Sequence, residues 1–146
     1  MDSKILDFIT SHRVCSLTTL LKDGSPHAGA LHYSHKSKPL EFYFSTENTS
    51  HKTQALLDGK FTKASVVIGF SEQEWITLQM DGEIKVIVDN DELQSIHAIH
   101  YAKIPDAKQY KDYPATLFLK FIPTWYRYTD YNTKPPLIIT SEKNKS

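Results

Sequence analysis

Ser50, His51 and Lys52 put a hydroxyl, an imidazole and an ammonium side by side where a helix pattern begins. The stretch around them, Phe42 to Leu57, reads FYFSTENTSHKTQALL. An aromatic strand (Phe42, Tyr43, Phe44) runs into a polar turn of Ser45, Thr46, Glu47, Asn48, Thr49 and Ser50. The helix pattern from Thr53 to Leu57 stops at Gly59, and Thr49 or Ser50 suits its N-cap. His51 and Lys52 then fall in the first helical turn, where the macrodipole is positive and cations are disfavoured. A bound phosphate would remove that conflict, because hydroxyls, free backbone N–H groups and the lysine would converge on one anion. Without a ligand the same residues form a solvated basic loop.

Other residues with chemical potential are more scattered. Ala28, Gly29 and Ala30 follow the Asp23-Gly24 turn and Pro26, in a strand almost without side-chain bulk. A glycine in a strand marks either close approach of a ligand or a bend at a barrel corner. His97 and His100 share a helix face, but no acidic residue lies at metalloprotease spacing between them, so no metal site is expected. Cys15 is the single cysteine, so no intrachain disulfide can form and a reducing compartment fits. It lies in an apolar strand pattern without a base partner, which reads as a buried, inert thiol.

The 17 basic and 17 acidic residues balance, which argues against a nucleic-acid or membrane-surface footprint. At 146 residues the chain suits one domain, 1–140, with a polar tail, 141–146. Asp2 and Asp7 interrupt the N-terminus, so no signal peptide is read, and no apolar run reaches the twenty or so residues of a membrane span. A cytoplasmic protein is expected.

The elements that must position these residues follow from periodicity. Ile5, Leu6, Phe8 and Ile9 make an amphipathic helix stripe over 3–11, suited to covering a barrel end. Strands are expected over 14–21, 27–33, 40–44, 63–70 and 115–128, the last broken by Pro123, with a short edge strand at 137–139. The run KASVVIGF at 63–70 reads as buried on both faces. Trp75 to Val88 alternates apolar and polar residues, with Gly82 as its bend. Asp89, Asn90 and Asp91 cap a helix over 92–103. The fold class is mainly β (α+β): an antiparallel split β-barrel with short flanking helices.

In this order of elements the chain resembles the pyridoxamine 5'-phosphate oxidase-like FMN-binding split barrels, particularly the small uncharacterised bacterial members. The likeness rests on Gly24-Ser25-Pro26, on Ser45-Thr46, on Ser50-His51-Lys52 and on the strand that reaches Gly82. It implies FMN as cofactor, with the backbone of Ala28, Gly29, Ala30, Leu31 and His32 against the flavin. Ser50 and Lys52 would hold the phosphate beside His51, while Ser45 and Thr46 form the turn and Thr46 meets the flavin or ribityl chain. Trp75, Thr77 and Gln79 would reach the flavin of a partner subunit, so the resemblance implies a homodimer. Two positions depart from the family pattern. His51 stands where the family has arginine, so a permanent charge becomes a titratable one. The C-terminal Arg and His that hold pyridoxal phosphate in the true oxidase are not matched; Trp125, Arg127 and Tyr128 are the nearest residues.

The expected activity is therefore FMN-dependent oxidoreduction of an unidentified small molecule rather than vitamin-B6 oxidation, with no catalytic side chain assigned. The alternatives are a non-catalytic flavin carrier, sensor or stress-response protein, and a haem-binding protein of the same fold with His32, His97 or His100 as ligand. An oligonucleotide-binding barrel fits the strands and aromatics but not the neutral charge.

Overall fold

The computed structural model describes residues 1–141, and the expected tail lies outside them except for Ser141. Asp2 caps the first helix, α1 (Ser3–Ser11), by accepting from the Lys4 N–H at 2.7 Å. Its stripe of Ile5, Phe8 and Ile9 is buried. Eight strands follow: β1 (Val14–Leu20), β2 (Pro26–His32), β3 (Ser34–Ser37), β4 (Leu40–Glu47), β5 (Thr62–Ile68), β6 (Ile76–Val86), β7 (Thr116–Asp130) and β8 (Leu137–Thr140). A 3-10 helix, His51–Leu56, lies between β4 and β5. Helix α2 (Asn90–Lys103) and a second 3-10 helix, Pro105–Tyr110, lie between β6 and β7.

The strands form one sheet in the order β2-β1-β5-β6-β7-β4-β3, with β8 added to β7. All pairings are antiparallel. Strands β2 and β3 end that path on opposite sides, yet only Tyr33 separates them in sequence. The sheet must curl to bring those edges together, which makes a split barrel. Tyr33 is fully buried at the seam, and its hydroxyl donates to the Ile9 carbonyl at 2.6 Å. The inner face holds the main core, including Leu17, Phe42, Phe44, Leu78, Met80, Ile84 and Phe121 beneath α1. A smaller cluster of Tyr43, Ile87, Ile96 and Phe118 sits under α2.

Several expectations are corrected. Strand β5 is buried on one face only: Ala64, Val66 and Ile68 are inside, while Lys63 is exposed and Ser65 and Val67 are half-buried. Its outer neighbours are Ser16 and Thr18 on β1 and Gln79 and Asp81 on β6, so no apolar layer covers that side. Strand β7 runs unbroken through Pro123. The register shifts between Asp81 and Gly82, and Gly82 pairs with Pro123 while Asp81 pairs with Trp125. Thr124 is the extra residue of this bulge, which accommodates a proline that cannot donate to the ladder. Strand β3 is not among the expected strands; it forms a local hairpin with β4, with Ser37 opposite Leu40. The Asp89 cap is as expected: its carboxylate accepts from the Glu92 N–H at 2.9 Å.

His100 faces inward and packs rather than presenting a free ligand. Its Nδ1 lies 2.7 Å from the buried Ser34 Oγ and ties α2 to β3. Burial, with smaller contributions from the charges of His32, Lys103 and His97, pushes its pKa from 6.5 down to about 4. Cys15 is fully buried, and burial pushes its thiol up to about 12, the mark of an unreactive sulfur.

Two predictions follow from this packing. A Cβ on Gly82 would lie 2.1 Å from the Ile122 carbonyl oxygen and 2.9 Å from Pro123 Cα, both backbone atoms. Gly82→Ala is therefore expected to destabilise the fold by about 3 kcal/mol or more, read from urea unfolding. For His100, the unfolded chain takes up a proton near 6.5 and the folded chain only near 4. The stability that this neutral residue contributes is complete above 6.5, declines as the pH falls from 6.5 to 4, and levels off below. The loss is about 3 kcal/mol at most. His100→Asn, which can keep a partner for Ser34, should flatten that part of the stability–pH curve; an unchanged slope would show that His100 is not its source.

Candidate functional site

The polar turn after β4 is held from below by side chains of the 3-10 helix. Thr53 is buried, and its Oγ1 lies 2.9 Å from the Ser50 carbonyl oxygen. Gln54 Nε2 donates to the carbonyls of Asn48 at 2.8 Å and Ser50 at 3.0 Å. The buried Thr19 hydroxyl of β1 reaches the Lys52 carbonyl at 3.2 Å and anchors the helix to the barrel. With the turn's carbonyls taken from within, its side chains face outward. Ser50 is the N-cap residue by position, but its hydroxyl makes no capping bond to the helix backbone. It lies instead 3.5 Å from Thr46 Oγ1 and 3.4 Å from Thr53 Oγ1.

Ser45, Thr46, Ser50 and Lys52, all named from sequence, line one open cavity of about 320 Å³. Glu47, Tyr110 and Thr116 complete its lining. Lys52 is half-buried and forms no ion pair among the described residues. Burial lowers its pKa, and the nearby Glu47 carboxylate opposes that shift. Thr116 Oγ1 donates to the Tyr110 carbonyl at 2.6 Å and fixes the far wall. The donor set, one unpaired ammonium with four hydroxyl-bearing side chains of Ser or Thr type, suits an oxyanion.

The other expected site residues are elsewhere. His51 is exposed, does not line this cavity, and packs edge-on against His27 of β2 with centroids 4.8 Å apart. Along β2, Ala28, Ala30 and His32 are exposed on the outer face. Gly29 and Leu31 point the other way, opposite the buried Leu17 and Cys15. Gln79 lies on the same outer face as Ala30, in the cross-strand row Ala30, Ser16, Val67, Gln79. Thr77 has the parity of Gln79 and pairs with Thr129.

Trp75 is exposed and adopts φ +57°, a left-handed conformation that is costly for a bulky residue. Its N–H donates to Ser71 and its carbonyl accepts from the Tyr131 N–H. Ile76 beside it pairs with Asp130, at the opposite end of β7 from Thr116. About 45 Å of strand separates Thr116 from Asp130 at the usual rise per residue. One chain therefore does not bring Trp75 to the Lys52 cavity.

Sequence reasoning missed Glu47, Tyr110 and Thr116 as lining residues. Glu47 sat inside the stretch singled out, but nothing in its type set it apart from the turn. Tyr110 lies in a connection with no periodicity, brought to the cavity by the second 3-10 helix. Among the described residues no three His, Cys, Asp or Glu side chains cluster as a metal site. Among the described residues no helix is long and apolar enough to cross a membrane.

Solved structures share this architecture. A heme-binding protein from Mycobacterium smegmatis superposes with a TM-score of 0.74 at 20% identity, over 92% of this chain and 54% of its own. The chain thus spans about half the length of that relative. A Clostridium acetobutylicum protein, related to general stress protein 26 of B. subtilis in the pyridoxinephosphate oxidase family, gives 0.70 at 16% identity over 97% of both chains. Campylobacter jejuni ChuZ gives 0.72 at 10% identity, over 94% of this chain and 58% of its own. No curated protein matches the sequence. Residues 1–130 match the pyridoxamine 5'-phosphate oxidase family, and with its split barrel the chain belongs to that family.

Proposed function

We propose that the protein binds FMN, with the phosphate in the Lys52 cavity, and uses it for oxidoreduction of a small molecule. The observation that carries this reading is the convergence of Ser45, Thr46, Ser50 and an unpaired Lys52 on one cavity. An ammonium that forms no ion pair among the described residues, set among hydroxyls, fits a phosphate ester. Bound flavin would supply hydride chemistry, which explains a site without a catalytic triad or a carboxylate pair. Ala28 to His32 would offer a strand with little bulk to a flat ring. The chain's own task is to fix the phosphate and shield the ring from water.

This site is complete only in a homodimer. Trp75, Thr77 and Gln79 lie away from the Lys52 cavity in their own chain, so a second copy must supply them. The uncovered outer face of β2, β1, β5 and β6 supports such pairing, because Ala28, Ala30, Ser16, Thr18 and Val67 leave it small and uncharged over much of its area.

A second reading, haem in the same barrel, is favoured by the likeness to the heme-binding protein. The histidines weaken it. Of the three expected ligands, His100 is committed to Ser34 and His97 packs against Tyr101 and Phe118, which leaves the exposed His32.

Lys52→Ala is expected to weaken FMN binding about 10- to 100-fold, the worth of a charge-assisted bond. Riboflavin, which lacks the phosphate, should bind wild type and variant alike in a fluorescence titration. Equal loss for both ligands, or none for FMN, would remove the phosphate from this cavity. A Soret band on titration with haem, together with no flavin binding, would favour the second reading. Sedimentation equilibrium should give a dimer; a monomer that still binds FMN tightly would refute the two-subunit site.

A further inference from the structure

Trp75 is the one non-glycine among the described residues with a positive φ. A left-handed backbone is costly for a bulky residue, and it persists only where its surroundings over-determine it. Packing does not repay that cost, because the indole is 52% exposed. Something else is gained by holding it there.

Three segments hold the turn that carries it. Within the turn, Ser71 Oγ accepts from the Gln73 N–H at 3.1 Å, and the Ser71 carbonyl accepts from the Trp75 N–H at 3.0 Å. From beyond β7, the Tyr131 N–H donates to the Trp75 carbonyl at 2.9 Å, and Asn132 Nδ2 donates to the Glu74 carbonyl at 2.8 Å. Asn132 Nδ2 is itself fixed by Asp130 Oδ1 at 2.7 Å. The third hold comes from α1. His12 Nε2 lies 2.8 Å from Glu74 Oε1, and its Nδ1 lies 2.8 Å from the Phe8 carbonyl oxygen. Its ring packs on Phe8 with centroids 4.2 Å apart. Phe8 presses on the same hairpin, since a Cβ on Gly69 would lie 2.8 Å from its ring.

The first two holds are backbone bonds of the hairpin and its neighbouring strand. The His12 contact is different, because it grips the side chain next to Trp75 from a distant part of the chain. Both partners are partly exposed, and a pair of that kind adds little to stability. Its consequence is where the turn sits. Helix α1 is seated by the buried Ile5, Phe8 and Ile9, so it gives the turn a fixed reference.

We propose that His12 is a positioning residue for Trp75. Acting through Glu74, it registers the strained turn against α1, so that the indole meets the flat ring bound by a second copy in one pose. This rests on the two-subunit reading above and adds to it a residue outside the cavity.

Position and binding are read separately. Wild type, His12→Phe and Glu74→Ala are labelled with fluorotryptophan, and the fluorine NMR signals of Trp75 and Trp125 are assigned with Trp75→Phe. Both variants should move the Trp75 signal toward that of the free amino acid. The Trp125 signal should stay in place, which also shows that the fold is intact. A Trp75 signal unmoved in both variants overturns the proposal. FMN and riboflavin are then titrated by fluorescence. His12→Phe should weaken both by one factor, about three- to tenfold, the worth of an aromatic contact to the ring they share. Lys52→Ala, by contrast, acts on FMN alone. Adding His12→Phe to Trp75→Ala should cost nothing further, because His12 works only through the indole. Losses that add would make His12 a general support of the fold and overturn the proposal. A wild type that binds neither flavin, with the Trp75 signal still moved in both variants, rejects the flavin and keeps His12 as the residue that sets the indole. One that binds both flavins with the signal unmoved keeps the flavin and rejects His12.

Discussion

A one-residue joint between the two edges of the sheet is the constraint on which the rest depends. Strand β2 ends at His32 and β3 begins at Ser34, although they terminate opposite sides of the strand order. A flat sheet of this width cannot satisfy that connection, so the strands must twist and curl around a common core. The joint is buttressed on both sides. The buried Tyr33 bonds the last turn of α1, and the Lys103 ammonium of α2 lies 4.0 Å from the Tyr33 ring centroid. Both helices are thereby fastened at the place where the barrel closes. The bulge at Gly82 and Thr124 adds local twist to the two longest strands.

Closure also creates the cavity. The ends of β4 and β7 run side by side, with Glu47 opposite Thr116. The 3-10 helix crosses beside them toward β1, where Thr19 holds it. Lys52 is consequently presented by a segment anchored from three directions: by Thr19 from β1, by His27 from β2, and by Thr53 and Gln54 from within the helix itself. A half-buried ammonium without an ion-pair partner is not a stabilising arrangement. Its lowered pKa records that cost.

Much of this was legible in the sequence because the signals were local. Alternation gave the inner face of β6 as far as Val86, while Val88 beyond it is exposed, and Asp89 gave the start of α2. The hydroxyls and lysine of residues 45–52 were legible because their types conflict with an ordinary helix start. What was not legible depended on contacts between distant residues. The outer exposure of β5 is set by the polar neighbours on β1 and β6. The survival of β7 through Pro123 needs a glycine forty-one positions earlier in the chain. The direction of the His51 ring is decided by His27, which no periodicity links to it.

That last contact bears on how far the family defines this protein. Membership fixes the barrel, but not the charge around the Lys52 cavity. Arginine at position 51 would add a permanent cation near the Lys52 cavity. Histidine does not, and its ring lies against another histidine rather than in the cavity. The lining is left with one positive and one negative group. In a cavity of zero formal charge, Coulomb attraction alone no longer dominates recognition, so the placement of hydrogen-bond donors must decide it.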